Sequence, residues 1–109
     1  MFYVEKGRDG HTQPVDDVEI RDLACGTNHS VCVDSKKRVY SWGFGGYGRL
    51  GHAETKDEMI PRLIKFFDAQ ARGAKSVFCG NSYSMALTDV GECCKFVFCQ
   101  FVVVVVVVV

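Results

Sequence analysis

An all-β chain of small antiparallel sheets, each repeating the plan of the one before, is predicted by three features of the sequence. Short β-branched and aromatic runs alternate with turns rich in Gly, Asn and Asp, and glycines crowd the segment that follows the first three runs. A Cys-Gly-x-x-x-Ser pattern at residues 25–30 also returns at residues 79–84. With 109 residues, 48% hydrophobic and 24% charged, the chain has the length of one domain and the composition of a globular one.

The elements follow in order. Leu23-Ala24-Cys25 and Ser30-Val31-Cys32-Val33, separated by Gly26-Thr27-Asn28, read as a hairpin. Asp34-Ser35-Lys36-Lys37 supplies a second turn, and Val39-Tyr40-Ser41-Trp42 alternates as a third strand does. From Gly43 to Gly51 five of nine residues are glycine, and interior glycines each cost a helix about 1 kcal/mol, so this is a loop. After Pro61 the segment Arg62–Phe67 is read as a strand, although Leu63, Phe66 and Phe67 also fit one face of a short helix ended by Gly73. Lys56-Asp57-Glu58, near Glu54, reads as an exposed charged loop.

Aligning Gly26 with Gly80 sets Leu23–Val33 beside Val77–Leu87 at a step of 54 residues. Several short strands per unit at such a period are the signature of a bladed β-propeller. About one and a half units are present, too few to close a ring. The family-like region spans 1–92, with a first blade core at 20–66 and a second repeat beginning at 74; residues 93–109 form an apolar low-complexity tail.

Thirteen basic and thirteen acidic residues cancel, which argues against broad nucleic-acid or anionic-membrane binding. Charge is nonetheless uneven: residues 1–35 hold three basic against seven acidic side chains, and Lys36, Lys37, Arg38 and Arg49 then follow with no acid among residues 36–49. The Lys36-Lys37-Arg38 run reads as a solvated hairpin tip. No secretory signal is visible in Met1–Asp9, so the six cysteines are expected to be reduced thiols of a chain that is not secreted. Cys25 and His29 alone approach metal-ligand spacing, and a single such pair predicts no metal site.

Gly43-x-Gly45-Gly46-x-Gly48 satisfies a dinucleotide-type glycine pattern, but no helix opens on it, so no nucleotide cofactor is expected. His29 reads as a structural histidine at a turn, and Trp42, Phe44 and Tyr47 as packing aromatics. No catalytic residue is nominated. The candidate partner-contact loop is Tyr47, Arg49, His52, Glu54, Lys56, Asp57 and Glu58, because propeller rims carry partners on loops.

Asp22-x-x-Cys25-Gly26-x-x-His29-Ser30, then Val39-Tyr40-x-Trp42-Gly43-x-Gly45-x-Tyr47-Gly48-x-Leu50-Gly51-His52 and Pro61, resembles the regulator of chromosome condensation repeat family, and within it the mitotic, telophase-disc branch. The resemblance covers about residues 3–92 and implies part of a seven-bladed propeller. It assigns Cys25, Gly26, His29, Trp42, Gly43, Gly45, Gly48, Leu50, Gly51, Pro61 and Gly80 to the structural repeat signature. It implies small GTPases and chromatin or spindle proteins as partners, guanine-nucleotide exchange without covalent chemistry, and a place in nucleus and cytoplasm and on mitotic chromosomes and spindle. An interaction scaffold without exchange, or a truncated product without function, are the alternatives. Family-like sequence stops near Gly91-Glu92, where the offset puts Phe96 and Val97 in place of Trp42 and Gly43. The tail beyond is too short for the roughly 20 residues that span a bilayer, and it predicts self-association rather than membrane insertion.

Overall fold

The chain was analysed as a computed structural model, which describes residues 2–6, 11–46, 49–52, 56–65, 67, 73–81, 83–88, 92–97 and 100–105. Ten strands lie among them: β1 (Tyr3–Lys6), β2 (His11–Pro14), β3 (Ile20–Cys25), β4 (His29–Asp34), β5 (Val39–Gly43), β6 (Glu58–Leu63), β7 (Ala74–Cys79), β8 (Ser84–Thr88), β9 (Glu92–Val97) and β10 (Gln100–Val105). They form a six-stranded sheet in the order β2-β1-β6-β5-β4-β3 and a four-stranded sheet in the order β10-β9-β8-β7. Among the described residues no helix is long and apolar enough to cross a membrane.

Strands β3 to β6 form an antiparallel meander, the first blade. Its turns are chemically specified. At the β4–β5 turn the buried Asp34 carboxylate accepts the backbone N–H groups of Lys36 (3.0 Å) and Arg38 (2.8 Å), the Arg38 Nε–H (2.7 Å) and the Tyr40 hydroxyl (3.0 Å). Lys37 takes a positive φ of 67°, and Lys36 and Lys37 are exposed, as a solvated hairpin tip requires.

Val31 and Val33 lie on one face of β4 and Cys32 on the other, and both faces are covered. Val31, Val33, Val39, Ile64 and Phe67 pack against Ala74, Val77 and Ala86 of the second sheet. On the opposite face Phe2, Val4, Val15, Val18 and Trp42 cover Cys32, Tyr40 and Leu63, with the Phe2 and Tyr40 rings edge-on at 4.9 Å. Leu23, Cys32, Tyr40 and Leu63 are successive cross-strand partners in one row. The N-terminal segment buries the outer three of these and leaves Leu23 55% exposed.

The second sheet repeats the first. Gly26 N–H donates to His29 O, and Gly80 N–H donates to Tyr83 O. The register breaks between Ile20 and Asp22 in β3 and, one repeat later, between Ala74 and Ser76 in β7. The bulge belongs to the unit, since it recurs at the same step.

The structure extends the sequence reading in two places and departs from it in two. The first sheet extends beyond residues 20–66, because the β1–β2 hairpin adds to its outer edge and β1 pairs with β6 in parallel through Tyr3 and Arg62. Strand β6 begins at Glu58 and ends at Leu63, and the backbone then turns helical at Lys65 and Phe67, so residues 62–67 divide between the two forms weighed. The apolar segment after Glu92 contributes to the second sheet, β9 and β10 being its third and fourth strands, with Val105 opposite Glu92. Glu58 is buried rather than exposed, for the reason given below.

Candidate functional site

The glycine-rich segment leaves β5 at Gly43, whose φ of 111° favours glycine; a Cβ there would stand 2.6 Å from Asn28 O. Phe44 N–H donates to Asn28 O at 2.8 Å, and Gly45 N–H to Asp57 Oδ1 at 2.9 Å. Arg49 then turns inward. Its Nε–H donates to Gly46 O (2.8 Å), its Nη1–H to Asn81 O (3.3 Å), and its guanidinium lies 4.7 Å from the centre of the Phe44 ring. Ser84 Oγ donates to Arg49 O at 2.7 Å, so the loop of the first blade is fastened to the inner hairpin of the second.

Leu50 is buried, and its carbonyl accepts the Ser41 hydroxyl at 2.6 Å. Since Ser41 spends its proton there, His52 Nε2, 2.9 Å away, must carry the hydrogen and donate to Ser41 Oγ. Burial, reinforced by the positive charges of Arg62 and Lys65, pushes His52 down to about 3, which keeps the ring neutral. This pair is a loop clamp; a serine nucleophile would have to give its proton to the histidine.

Glu58 opens β6 almost fully buried. One oxygen accepts Arg62 Nη1–H at 2.9 Å, with Lys56 Nζ at 4.0 Å, and the other accepts the Tyr3 hydroxyl. The carboxylate therefore fastens β1 to β6 and is not part of a solvated charge run. Lys56 and Asp57 are exposed, while Tyr47 and Glu54 lie outside the described residues. The structure thus turns Arg49 and Glu58 inward, tucks His52 beneath the loop, and leaves Lys56 and Asp57 facing solvent.

Signature residues meet at the junction of the two sheets. The Asp22 carboxylate accepts Val77 N–H (3.0 Å), Thr27 Oγ1 donates to Asn81 Oδ1 (2.8 Å), and Cys79 Sγ donates to Ala24 O (3.5 Å). His29 Nε2 lies 3.2 Å from Tyr83 O, while its buried Nδ1 has no partner. Burial lowers the His29 pKa, the Tyr83 carbonyl opposes this, and Arg49 adds to the lowering. Gly26 is required beneath this ring: a Cβ there would stand 2.3 Å from His29 Cε1 and 2.5 Å from Gly80 O. Gly80 likewise underlies the Tyr83 ring, so Tyr83 takes the place of His29 in the second unit.

Trp42 is half-buried over the N-terminal core, Gly45 and Gly51 are buried, Pro61 lies within β6, and Gly48 lies outside the described residues. Asp34, Ser41 and Asn81 were not singled out from sequence, though Asp34 had a signal in its position at the head of a turn. Cys25, Cys32 and Cys79 are free thiols; burial and then the Asp34 charge push Cys32 up to about 12. Among the described residues no three metal-ligating side chains come together.

Two consecutive blades, joined by contacts between equivalent positions, define a partial repeat propeller. Comparison with known proteins gives the same class: the "Regulator of chromosome condensation (RCC1) repeat" profiles match residues 37–87 and 20–49. The chain belongs to this family. It is 58% identical over 90 residues to the RCC2 homolog of Danio rerio and 57% identical over 90 residues to RCC2 of Homo sapiens. Each match covers 83% of this chain but only 18% and 17% of the relative, so the chain spans less than a fifth of their length. The solved structure of human WBSCR16 superposes with a TM-score of 0.68 at 23% identity, over 80% of this chain and 22% of that one. Yeast Prp20p superposes with a TM-score of 0.65 at 22% identity, over 86% of this chain and 25% of that one.

Proposed function

We propose that the chain is a two-blade part of a propeller that regulates small GTPases by non-covalent guanine-nucleotide exchange, and that it acts on chromosomes and the spindle in mitosis. The observation that carries the reading is the 57% identity to human RCC2 over 90 residues. The Prp20p structure, described with that protein's binding to Gsp1p and histones, supports a GTPase and chromatin as the partner classes. Exchange requires a protein surface that distorts the GTPase, and no bond is made or broken. Lys56 and Asp57, exposed beside the anchored loop, are the part of the nominated surface that remains accessible among the described residues.

The test uses the chain immobilised and challenged with nucleotide-free and nucleotide-loaded Gsp1p, other small GTPases and core histones. Binding of a nucleotide-free GTPase with accelerated nucleotide release is expected, weakened by Lys56→Glu in a variant whose circular dichroism is unchanged. Binding without release selects the second reading, an interaction scaffold. That reading is favoured by the engagement of Arg49, Glu58 and His29 inside the blades, which leaves the signature to architecture. No binding to any of these probes removes both.

A further inference from the structure

Among the described residues the two sheets end in four edge strands, β2, β3, β7 and β10. Three carry features that discourage pairing with a foreign strand. β2 has four residues and ends at Pro14, β3 carries Arg21 and Asp22, and β7 carries Lys75. β10 differs: six residues long, it holds no charge and no proline, and it follows β9 in unbroken register from Gln100 opposite Val97 to Val105 opposite Glu92. Its outer backbone groups lie at the sheet edge, and the sequence continues as valine to residue 109.

We infer that β10 is a self-association edge, on which the β10 strand of a second copy pairs antiparallel about a two-fold axis. The occupant follows from the strand's own sequence. A foreign strand must match an alternating pattern, and a one-residue slip costs it that match. The Val102–Val105 stretch keeps valine opposite valine when it slips against the same stretch of a second copy, and high β-propensity without charge favours the pairing. The two-fold arrangement joins two four-stranded sheets into one, and it closes at two copies because each edge is consumed.

Size-exclusion chromatography with light scattering, over a range of protein concentrations, tests this on the full chain. The expected result is a monomer that doubles in mass as concentration rises, with doubling abolished by Val103→Pro and by Val103→Lys and retained by Val103→Ile. Leu23→Lys and Phe78→Lys, on the exposed blade faces, should leave the doubling intact. A monomer at every concentration overturns the inference, as does growth beyond two copies, or loss of doubling in the Leu23 or Phe78 variants but not in those at Val103. Should both disruptive Val103 variants unfold, hydrogen exchange on the unaltered chain decides. Amide protection across Gln100–Val105 that rises with concentration supports the pairing, and protection that stays constant overturns it.

Discussion

Gly26→Ala tests the junction between the blades most directly. The added methyl would stand 2.3 Å from His29 Cε1, 2.6 Å from His29 Nδ1 and 2.5 Å from Gly80 O. The imidazole could turn, but the carbonyl belongs to the backbone of the second unit and moves only with its inner hairpin. Overpacking of this kind costs about 1 to 3 kcal/mol. For a chain of this size each kcal/mol shifts the thermal midpoint by about 4–8 °C. Gly80→Ala supplies the control, because the three atoms nearest its methyl all belong to the Tyr83 side chain, the first at 2.3 Å. Urea unfolding of four variants separates the two cases. Tyr83→Ala should relieve most of the Gly80→Ala penalty, whereas His29→Ala should leave much of the Gly26→Ala penalty standing. A Gly26→Ala loss below about 0.5 kcal/mol, the size of a neutral surface change, would refute the reasoning, as would full rescue by His29→Ala.

Acid should weaken the fold through His52. Its folded pKa of about 3 lies below the unfolded value of 6.5, so its contribution is complete above pH 6.5 and is lost as pH falls toward 3, at about 1.4 kcal/mol per pH unit. The lowered His29 acts in the same direction, and His52→Gln should flatten the fall in urea midpoint between pH 7 and about pH 5. Glu58→Ala removes the carboxylate that accepts from Arg62 and Tyr3; a loss of about 1–3 kcal/mol is expected, with faster hydrogen exchange confined first to β1 and β6. Ser84→Ala leaves the Arg49 carbonyl without its hydroxyl donor and should cost about 1–3 kcal/mol in thermal or chemical unfolding.

The β3–β5 meander was legible in the sequence because its strands alternate and its turns carry Gly, Asn and Asp, signals that act within a few residues. The two-unit plan was legible for a different reason: Cys25-Gly26 and Cys79-Gly80 are the same local solution written twice. What escaped depends on distant partners. Glu58 sits in a run that looks solvated, and Tyr3, 55 residues away, together with Arg62 further along the same strand, makes its burial tolerable. Arg49 looked like a rim contact because nothing local announces that Asn81 and Ser84 will reach it. The β1–β2 hairpin is too short and too polar to declare itself, and its place follows from the apolar row of Cys32, Tyr40 and Leu63 that needs a cover. The tail lost the repeat's residue identities at Cys93, yet strand pairing asks only for extended backbone beside β8, so the sheet continued where the family pattern stopped.

The contacts Thr27 with Asn81, His29 with Tyr83, and Asp22 with Val77 join positions separated by one repeat or one repeat plus a residue. Such an interface is a rule of succession more than a location. Each inner-hairpin position has two neighbours in principle, the unit before and the unit after, and must suit both with a single side chain. Duplication of the unit therefore duplicates a working joint at no further cost, while a substitution in one copy is tested at two seams. Variation inside the hairpin is consequently coupled from unit to unit, whereas a solvent-facing residue such as Met59 is free to diverge alone.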